Sequence, residues 1–226
     1  MEDCVVLLSG GMDSVVSLAL ARSTAVPQVA LTFNYGQQAV NNEVFAAQRI
    51  CSYYNIKHEI IDLPWLGRID TSSLQSRRKI PQLEITDLDN DDRVKETGSA
   101  VWVPNRNGVF LNIAACYAES INAAYIIAGF NKEEAETFSD NSEQFVDSIN
   151  KALFFSTKNH VKVLAPTLNL KKKEIAATGF RLGIPWKYLW SCYEGGKQMC
   201  GRCESCQRLR RALREAEIDA PILFER

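Results

Sequence analysis

A glycine-rich turn close to the amino terminus limits what this chain can fold into. An apolar run at residues 5–8 ends in the hexapeptide SGGMDS, residues 9–14, and a helix-compatible run, residues 15–22, follows at once. This order predicts a buried parallel strand, a tight turn and a helix. Gly10 and Gly11 permit positive φ and a close approach of backbone to ligand. The free N–H groups of the turn and of the helix start favour an anion there.

The acidic residue of the hexapeptide is unexpected beside an anion. Ser9 and Ser14 add hydroxyl donors, but the Asp13 carboxylate would repel a phosphate unless a cation lay between them. We therefore interpret Asp13 as a ligand of Mg²⁺ that accompanies a bound nucleotide. The alternative is an ordinary strand-to-helix turn in which Asp13 only caps the helix.

The hexapeptide also resembles a known signature, the SGGxDS motif of the PP-loop ATP pyrophosphatases, and it lies next to the amino terminus as in that family. It is not the Walker loop, since no Gly-Lys-Ser/Thr follows, and it is not the dinucleotide fingerprint. The resemblance implies that this turn holds the phosphates of ATP.

Composition narrows the class of protein. The chain has 226 residues, a formal net charge of −1 and 46% hydrophobic residues. These values are typical of one α/β domain, with room for a small appendage. They give no general argument for binding to nucleic acid or to a membrane surface. Because no apolar run approaches the ~20 residues of a membrane span and no signal peptide is recognisable, we expect a cytoplasmic protein.

Apolar runs alternate with helical stretches along the chain, and Pro27 breaks the chain before the second run. Strands are predicted at residues 5–8, 29–35, 56–62, 125–129 and 161–164. The pattern predicts an α/β fold with a parallel, five-stranded, doubly wound sheet. Ligands of such sheets bind beyond the carboxyl ends of the strands. Asn34 and Tyr35 lie at such an end, where they either frame the adenine or belong to an ordinary turn.

We place an ATP-binding α/β domain at residues 1–186 and a helical, zinc-binding segment at residues 187–226. Residues 63–101 are rich in Gly, Pro, Asp and Ser and predict a long loop with short helical pieces. Long loops inside compact domains are usually lids or disordered, and we favour a lid.

Two polar segments precede predicted helices. In VPNRN, residues 103–107, Arg106 offers a forked set of donors suited to carboxylate or phosphate, although a helix cap with a surface arginine fits as well. The lysines at residues 171–173 oppose the dipole of the helix that they begin. They are either a cation near released phosphates or a solvated turn. The acidic loop at residues 132–142 is interpreted as solvated.

Four of the seven cysteines have the spacing C-x₇-C-x₂-C-x₂-C, at Cys192, Cys200, Cys203 and Cys206. In a reducing compartment such a cluster indicates a metal. Zn²⁺ fits the spacing, and with four thiolates it would be structural. An iron–sulfur cluster is the alternative, but the ferredoxin run needs a further cysteine followed by proline. The last predicted helix is locally basic, yet neighbouring glutamates dilute the patch, so we do not expect binding of nucleic acid.

The combination of SGGMDS, VPNRN, a G-x-N segment after the fourth predicted strand and the cysteine quartet resembles the 7-cyano-7-deazaguanine synthases over essentially the whole chain. The resemblance implies an ATP-dependent ligase of queuosine and archaeosine precursor biosynthesis. Its substrates would be 7-carboxy-7-deazaguanine, ammonia and ATP, and the nitrile would form through an adenylated acid and an amide. The resemblance also implies a structural zinc and a homodimer.

By position, the resemblance assigns a role to each candidate residue. The ATP site would consist of Leu8, Ser9, Gly10, Gly11, Met12, Asp13, Ser14, Val15, Val16, Ser17 and Leu18, with Asn34 and Tyr35. The substrate site would consist of Asn105, Arg106, Asn107, Gly129, Asn131 and Asp140. Asp13, Ser14 and Arg106 would be catalytic.

Two segments depart from the pattern of many members. Gln38 and Ala39 stand where those members have Arg-His after Tyr-Gly-Gln, and the loop at residues 135–142 differs from their Tyr-Ser-Gly-Tyr-Pro-Asp-Cys-Arg. Asp140 is the residue of this loop that we expect to keep its role. Recognition of the base is therefore the part of the resemblance that transfers least directly.

Other functions of the same scaffold stay open. A tRNA-thiolating ATPase needs a reactive cysteine at the active end and a tRNA-binding domain, for which this length leaves little room. A synthetase of the amidotransferase type needs a glutaminase partner. A zinc-stabilised module that only binds a nucleotide has no need of Asp13. Since neither His58 nor His160 lies in a motif, we expect catalysis mostly by positioning and charge stabilisation.

Overall fold

The fold is a single parallel sheet with helices on both faces. The computed structural model describes residues 1–75, 78–222 and 224. The sheet has the order β3-β2-β1-β4-β5, and every pair of neighbouring strands is parallel. The strands are β1 Glu2–Leu7, β2 Ala25–Asn34, β3 Lys57–Asp62, β4 Tyr125–Ile127 and β5 Lys162–Leu164. The predicted five-stranded parallel sheet is confirmed.

The helices complete the doubly wound arrangement. They are α1 Met12–Ala21, α2 Val40–Tyr54, α3 Pro64–Ile69, α4 Asp91–Ala100, α5 Arg106–Ser120, α6 Lys132–Ala135, α7 Glu143–Ser156, α8 Lys172–Arg181 and α9 Glu204–Glu215. Short 3₁₀ helices cover Ile85–Asp89, Ser139–Asn141 and Trp186–Tyr188. Along the chain, β2 and β3 extend the sheet from one edge of β1, and β4 and β5 extend it from the other edge. Right-handed crossovers therefore put helices on opposite faces and leave a crevice between the carboxyl ends of β1 and β4.

The position of β1 at the centre of the sheet explains why its last residues are all apolar. Val5 and Val6 are 0% exposed. Val5 is paired with Val29 of β2 on one side and with Ile126 of β4 on the other. A strand covered on both faces and both edges has no polar side to present, which is why it reads as a continuous apolar run.

The second strand begins earlier than the sequence predicts. The sequence predicts a break at Pro27 and a strand from residue 29, but β2 begins at Ala25 and runs through Pro27. Cys4 of β1 is paired with Pro27 and Val5 with Val29, so β2 has one extra residue at this point. Proline is tolerated at such a bulge because its missing N–H is not needed for the ladder.

The segment at residues 63–101 contains α3, a 3₁₀ helix and α4, and its described part lies against the C-terminal segment. The Leu83 N–H donates to the Arg202 carbonyl at 2.8 Å, and Gln207 Nε2 donates to the Leu83 carbonyl at 2.8 Å. The Thr97 hydroxyl donates to Glu204 Oε2 at 2.8 Å. Movement of this segment as a lid stays a prediction, as does the division of the chain at residue 187. None of the described helices is long and apolar enough to cross a membrane.

A glycine after β4 controls how closely the sheet approaches the start of α1. A Cβ atom on Gly129 would lie 2.7 Å from the backbone nitrogen of Ser14 and 2.8 Å from its Cα. We predict that Gly129→Ala destabilises the fold by about 1–3 kcal/mol, because backbone must move to accept the methyl group. Urea unfolding measures the change. Gly196→Ala is the matched control, since its Cβ would come no closer than 3.4 Å to Gln198. Equal midpoints for the two variants would contradict the prediction.

Candidate active site

A cavity of about 260 Å³ lies beyond the carboxyl ends of β1, β2 and β4. The turn after β1, the ends of β2 and β4, the starts of α5 and α8 and the C-terminal segment all contribute to its wall. Its polar lining includes Ser9, Asp13, Ser14, Tyr35, Gln37, Glu43, Arg106, Asn107, Glu134, Lys172, Ser191 and Tyr193. The cavity therefore lies where a doubly wound sheet places its ligand.

The turn after β1 has the shape of an anion cradle. Gly10 has φ +82°, and a Cβ atom there would lie 2.7 Å from the Cβ of Ala46. Gly11 is the N-cap of α1, so the first N–H groups of this helix face the cavity end of the turn. The Ser14 hydroxyl donates to the Gly11 carbonyl at 2.9 Å, and Ser9 Oγ lies 3.3 Å from Ser14 Oγ. Free N–H groups at a helix start suit a phosphate.

A buried lysine connects this turn to the acidic loop. Lys172 Nζ forms ion pairs with Asp13 Oδ2 and, at 2.6 Å, with Glu134 Oε1. The side chain of Lys172 is 9% exposed. Asn131, fully buried, donates from Nδ2 to Asp13 Oδ2 at 3.4 Å and accepts the Glu134 N–H at 3.0 Å. Four side chains from three separate parts of the chain thus meet at one point.

The two carboxyl groups respond differently to burial. Burial raises the pKa of Asp13 to about 6, against the opposing effect of the Lys172 ammonium. Burial also acts to raise the pKa of Glu134, but Lys172 outweighs it and holds that pKa below its usual range. Asp13 Oδ1 is buried and has no hydrogen-bond partner among the described residues. A buried carboxylate oxygen without a partner fits the ligand of a hard divalent cation, so Asp13 fits the Mg²⁺ role.

A second polar group lies on the β2 side of the cavity. An Arg106 guanidinium N–H donates to the Tyr35 hydroxyl at 3.4 Å. The Gln37 amide donates to the Phe33 carbonyl at 2.9 Å and to Glu43 Oε2 at 2.8 Å. Burial raises the pKa of Glu43, although Gln37 and Arg106 lower it. The Arg106 guanidinium and the Glu43 carboxyl group therefore lie on the same wall of the cavity.

Several predicted ATP-binding residues lie away from the cavity. Val15, Val16 and Leu18 are 0% exposed and belong to the hydrophobic core. The Ser17 hydroxyl hydrogen-bonds Thr167 at 2.7 Å. Asn34 donates to Asp62 Oδ1 at 2.7 Å and lines a separate shallow pocket. Leu8, Gly11 and Met12 do line the cavity, as does Tyr35, whereas Gly10 shapes the turn from behind.

Only some of the predicted substrate-binding residues line the cavity. Arg106, Asn107 and Gly129 line the cavity. Asn105 is exposed and has φ +49° at the N-cap of α5. The Asp140 carbonyl accepts a hydrogen bond from Asn107 Nδ2 at 3.3 Å. Asn131 hydrogen-bonds Asp13 and Glu134.

Sequence reasoning missed Glu134 and Glu43 and left Lys172 undecided. The lysine had a signal, because a cation at a helix start opposes the dipole and needs a compensating partner. The two glutamates had none, since each lies in a polar stretch that could equally be solvated.

The four cysteines converge as their spacing predicts. Their Sγ atoms lie within 4.8 Å of one another, and all four residues are buried. Tetrahedral Zn²⁺ with Zn–S distances of about 2.3 Å requires sulfur atoms at such separations. The N–H groups of Arg202 and Cys203 point at Cys200 Sγ, at 3.4 and 3.3 Å, across Gly201 with φ +70°. Donors aimed at sulfur stabilise the thiolate, so the residues fit a zinc ion.

We predict that Cys203→Ser removes the metal and lowers stability, because three thiolates and a hydroxyl bind Zn²⁺ poorly and the cluster lies in the core. Elemental analysis should give about one zinc per wild-type chain and far less in the variant. Cys116→Ser is the control, since Cys116 is exposed and apart from the cluster. A variant that kept its zinc would contradict this assignment.

Comparison with known proteins decides the family. A family model described as "Queuosine biosynthesis protein QueC" matches residues 3–217. The chain belongs to the QueC family. A 7-cyano-7-deazaguanine synthase from Carboxydothermus hydrogenoformans is 53% identical over 94% of this chain and 98% of its own length. A protein of the same name from Desulforudis audaxviator is 49% identical over 94% of this chain and 96% of its own. The predicted resemblance to this family is confirmed.

Among solved structures, an NMN synthetase from Francisella tularensis matches 96% of this chain and 84% of its own, with 19% identity and a TM-score of 0.48. That likeness is too distant for an inference about function.

Proposed function

We propose that this QueC family member is a 7-cyano-7-deazaguanine synthase, which converts 7-carboxy-7-deazaguanine, ammonia and ATP into the nitrile. Family membership over residues 3–217 supports the overall reaction. The observation that carries the chemistry is the Lys172 ammonium between Asp13 and Glu134, directly beside the glycine turn. Cations and N–H donors fixed at a phosphate site are what transfer from ATP requires.

The reaction has to turn the oxygens of an inert carboxylate into leaving groups. A carboxylate oxygen of the substrate attacks the α-phosphorus of ATP, the bond to pyrophosphate breaks, and an acyl-adenylate forms. Ammonia displaces AMP and gives the amide. A second ATP activates the amide oxygen in the same way, and loss of AMP and protons leaves the nitrile. Each activation therefore releases pyrophosphate, whose charge must be stabilised.

The residues of the turn and of α8 provide that stabilisation in this proposal. The first N–H groups of α1 and the Ser9 and Ser14 hydroxyls hold phosphate oxygens. Lys172 holds negative charge on the leaving pyrophosphate, and Asn131 keeps Asp13 in place. Asp13 would hold Mg²⁺, which supplies further neutralisation of the phosphates when bound.

The wall on the β2 side suits the other substrate. Arg106 offers forked donors for a carboxylate, and Glu43 offers an acceptor for the N–H groups of a guanine-like base. The four-cysteine site would hold a structural zinc, because four thiolates leave no open position. The homodimer and the cytoplasmic location implied by the resemblance stay part of the proposal.

The direct test is turnover. Purified protein is incubated with ATP, Mg²⁺, ammonium and 7-carboxy-7-deazaguanine, and mass spectrometry follows the acid, the amide and the nitrile. We expect both products, with AMP and pyrophosphate formed only when the acid is present. Consumption of ATP that ignores the acid would exclude this reaction and favour another PP-loop activity.

We predict that Asp13→Asn lowers kcat by about 100-fold or more, because the neutral amide cannot hold Mg²⁺ beside the phosphates. Steady-state assays of pyrophosphate release measure the loss, and circular dichroism checks the fold. The matched control is Asp147→Asn, on the exposed side of α7. Wild-type turnover by Asp13→Asn would show that the cation is held elsewhere.

We predict that Arg106→Met raises the KM for the deazaguanine acid about 10- to 100-fold while the KM for ATP changes little. The reason is the loss of about 1.5–3 kcal/mol of charged hydrogen bonding to the substrate carboxylate. Arg93→Met, at an exposed ion pair with Glu96, is the control. A larger effect on the KM for ATP would place Arg106 at the nucleotide instead.

A further inference from the structure

The helix that follows the cysteine cluster also reaches the acidic loop of the active site. Cys203 is the N-cap of α9, and Cys206 lies in its first turn. Glu204 and Arg208 lie one turn apart on the same helix and form an ion pair at 2.8 Å. Their side chains are only 4% and 8% exposed. A helix rarely buries a charged pair unless the charges have further partners.

Those partners lead to the catalytic lysine. Arg208 and Arg211 both reach Glu133 Oε2, at 3.5 and 3.2 Å. The other oxygen of Glu133 accepts the backbone N–H of Lys172 at 2.8 Å. Lys172 is the first residue of α8. Glu133 is thus a carboxylate cap for the helix that presents Lys172.

The Glu133 carboxylate offsets an unfavourable interaction between the Lys172 ammonium and the dipole of α8. This ammonium is buried at the start of a helix, where the dipole disfavours a cation. A carboxylate that accepts the first N–H offsets this effect and fixes the backbone from which the lysine side chain extends. The side chain of Glu133 is in turn largely buried, 17% exposed, and needs the two arginines of α9 to hold its charge in place.

We propose that Arg208 is a positioning residue for catalysis: it holds Glu133, Glu133 holds the backbone of Lys172, and Nζ of Lys172 is thereby kept beside the glycine turn. The cysteine cluster fixes the start of α9, so it sets where Arg208 lies. The Thr97 hydroxyl, which donates to Glu204 Oε2 at 2.8 Å, anchors the other end of the relay. This inference rests on the proposed function.

The test is a double-mutant cycle on kcat with Arg208→Met, Glu133→Gln and the double variant. Each single variant should lose about 10- to 100-fold in kcat, as expected for a misplaced catalytic group, while the KM for ATP stays within about twofold. Because both residues act through one chain of contacts, the double variant should lose no more than the worse single variant. Losses that multiply would overturn the relay, and so would wild-type kcat in Arg208→Met.

Arg214→Met, on the exposed side of α9, is the matched control and should keep wild-type kcat and KM. Arg208→Lys keeps the charge without the fork, and we expect it to fold and to lose kcat less than Arg208→Met. If Arg208→Met does not fold, Arg208→Lys takes its place in the cycle. Millimolar guanidinium should restore part of the kcat of Arg208→Met, and absence of rescue together with a raised KM would point to a structural role only.

A second measurement does not depend on turnover. An amine-reactive reagent with peptide mass spectrometry reports the accessibility of Lys172, which is buried in the wild type. We expect faster labelling of Lys172 in Arg208→Met at unchanged zinc content, and unchanged labelling would overturn the inference. If the wild type makes no nitrile, the proposed function fails by itself, while the labelling result still decides whether Arg208 positions Lys172.

Discussion

A lysine ammonium buried between two carboxylates holds the active end of this protein together. Removing three charged groups from water costs several kcal/mol each unless they are paired. Lys172 contacts Asp13 and Glu134, so the three groups together carry a net charge of −1 when ionised, and Asp13 Oδ1 has no partner among the described residues. The excess negative charge lies beside N–H groups that favour phosphate. In the proposed function, a cation that entered with the nucleotide would pair with this excess charge and with the phosphates.

The same constraint explains the arrangement behind the site. Glu133 is needed where a buried lysine begins a helix, and the arginines of α9 are needed where Glu133 is buried. Each charge is tolerated because the next one lies within hydrogen-bond distance. Such networks add little net stability compared with apolar packing, but they admit one geometry only. In the proposed relay, the buried charges of Glu133, Glu204 and Arg208 thus fix the position of Lys172 rather than stabilise the sheet.

Local patterns predicted those parts of the molecule that depend on neighbouring residues. The apolar run at residues 5–8 with the following glycines gave the strand and the turn, and the spacing of the cysteines gave their convergence. The pair of Asp13 and Lys172 could not be found in this way, because its members are 159 residues apart and meet only through the strand order. Val15, Val16 and Leu18 belong to the hydrophobic core. Their helical spacing indicates a buried face, and their assignment to the ATP site, which rests on the family resemblance, stays a prediction.

The two departures from the family pattern contribute little to the wall of the cavity. Gln38 does not line the cavity; its amide donates to the carbonyls of Ser73, Gln75 and Arg78 at 2.8 to 3.1 Å, so it fastens the segment after α3. Within residues 135–142, Asn141 alone lines the cavity among the described residues. Tyr35, Glu43 and Arg106, which line the cavity on the β2 side, lie outside both departures. In this chain, Gln38 therefore holds the segment after α3, and Ala39 is buried.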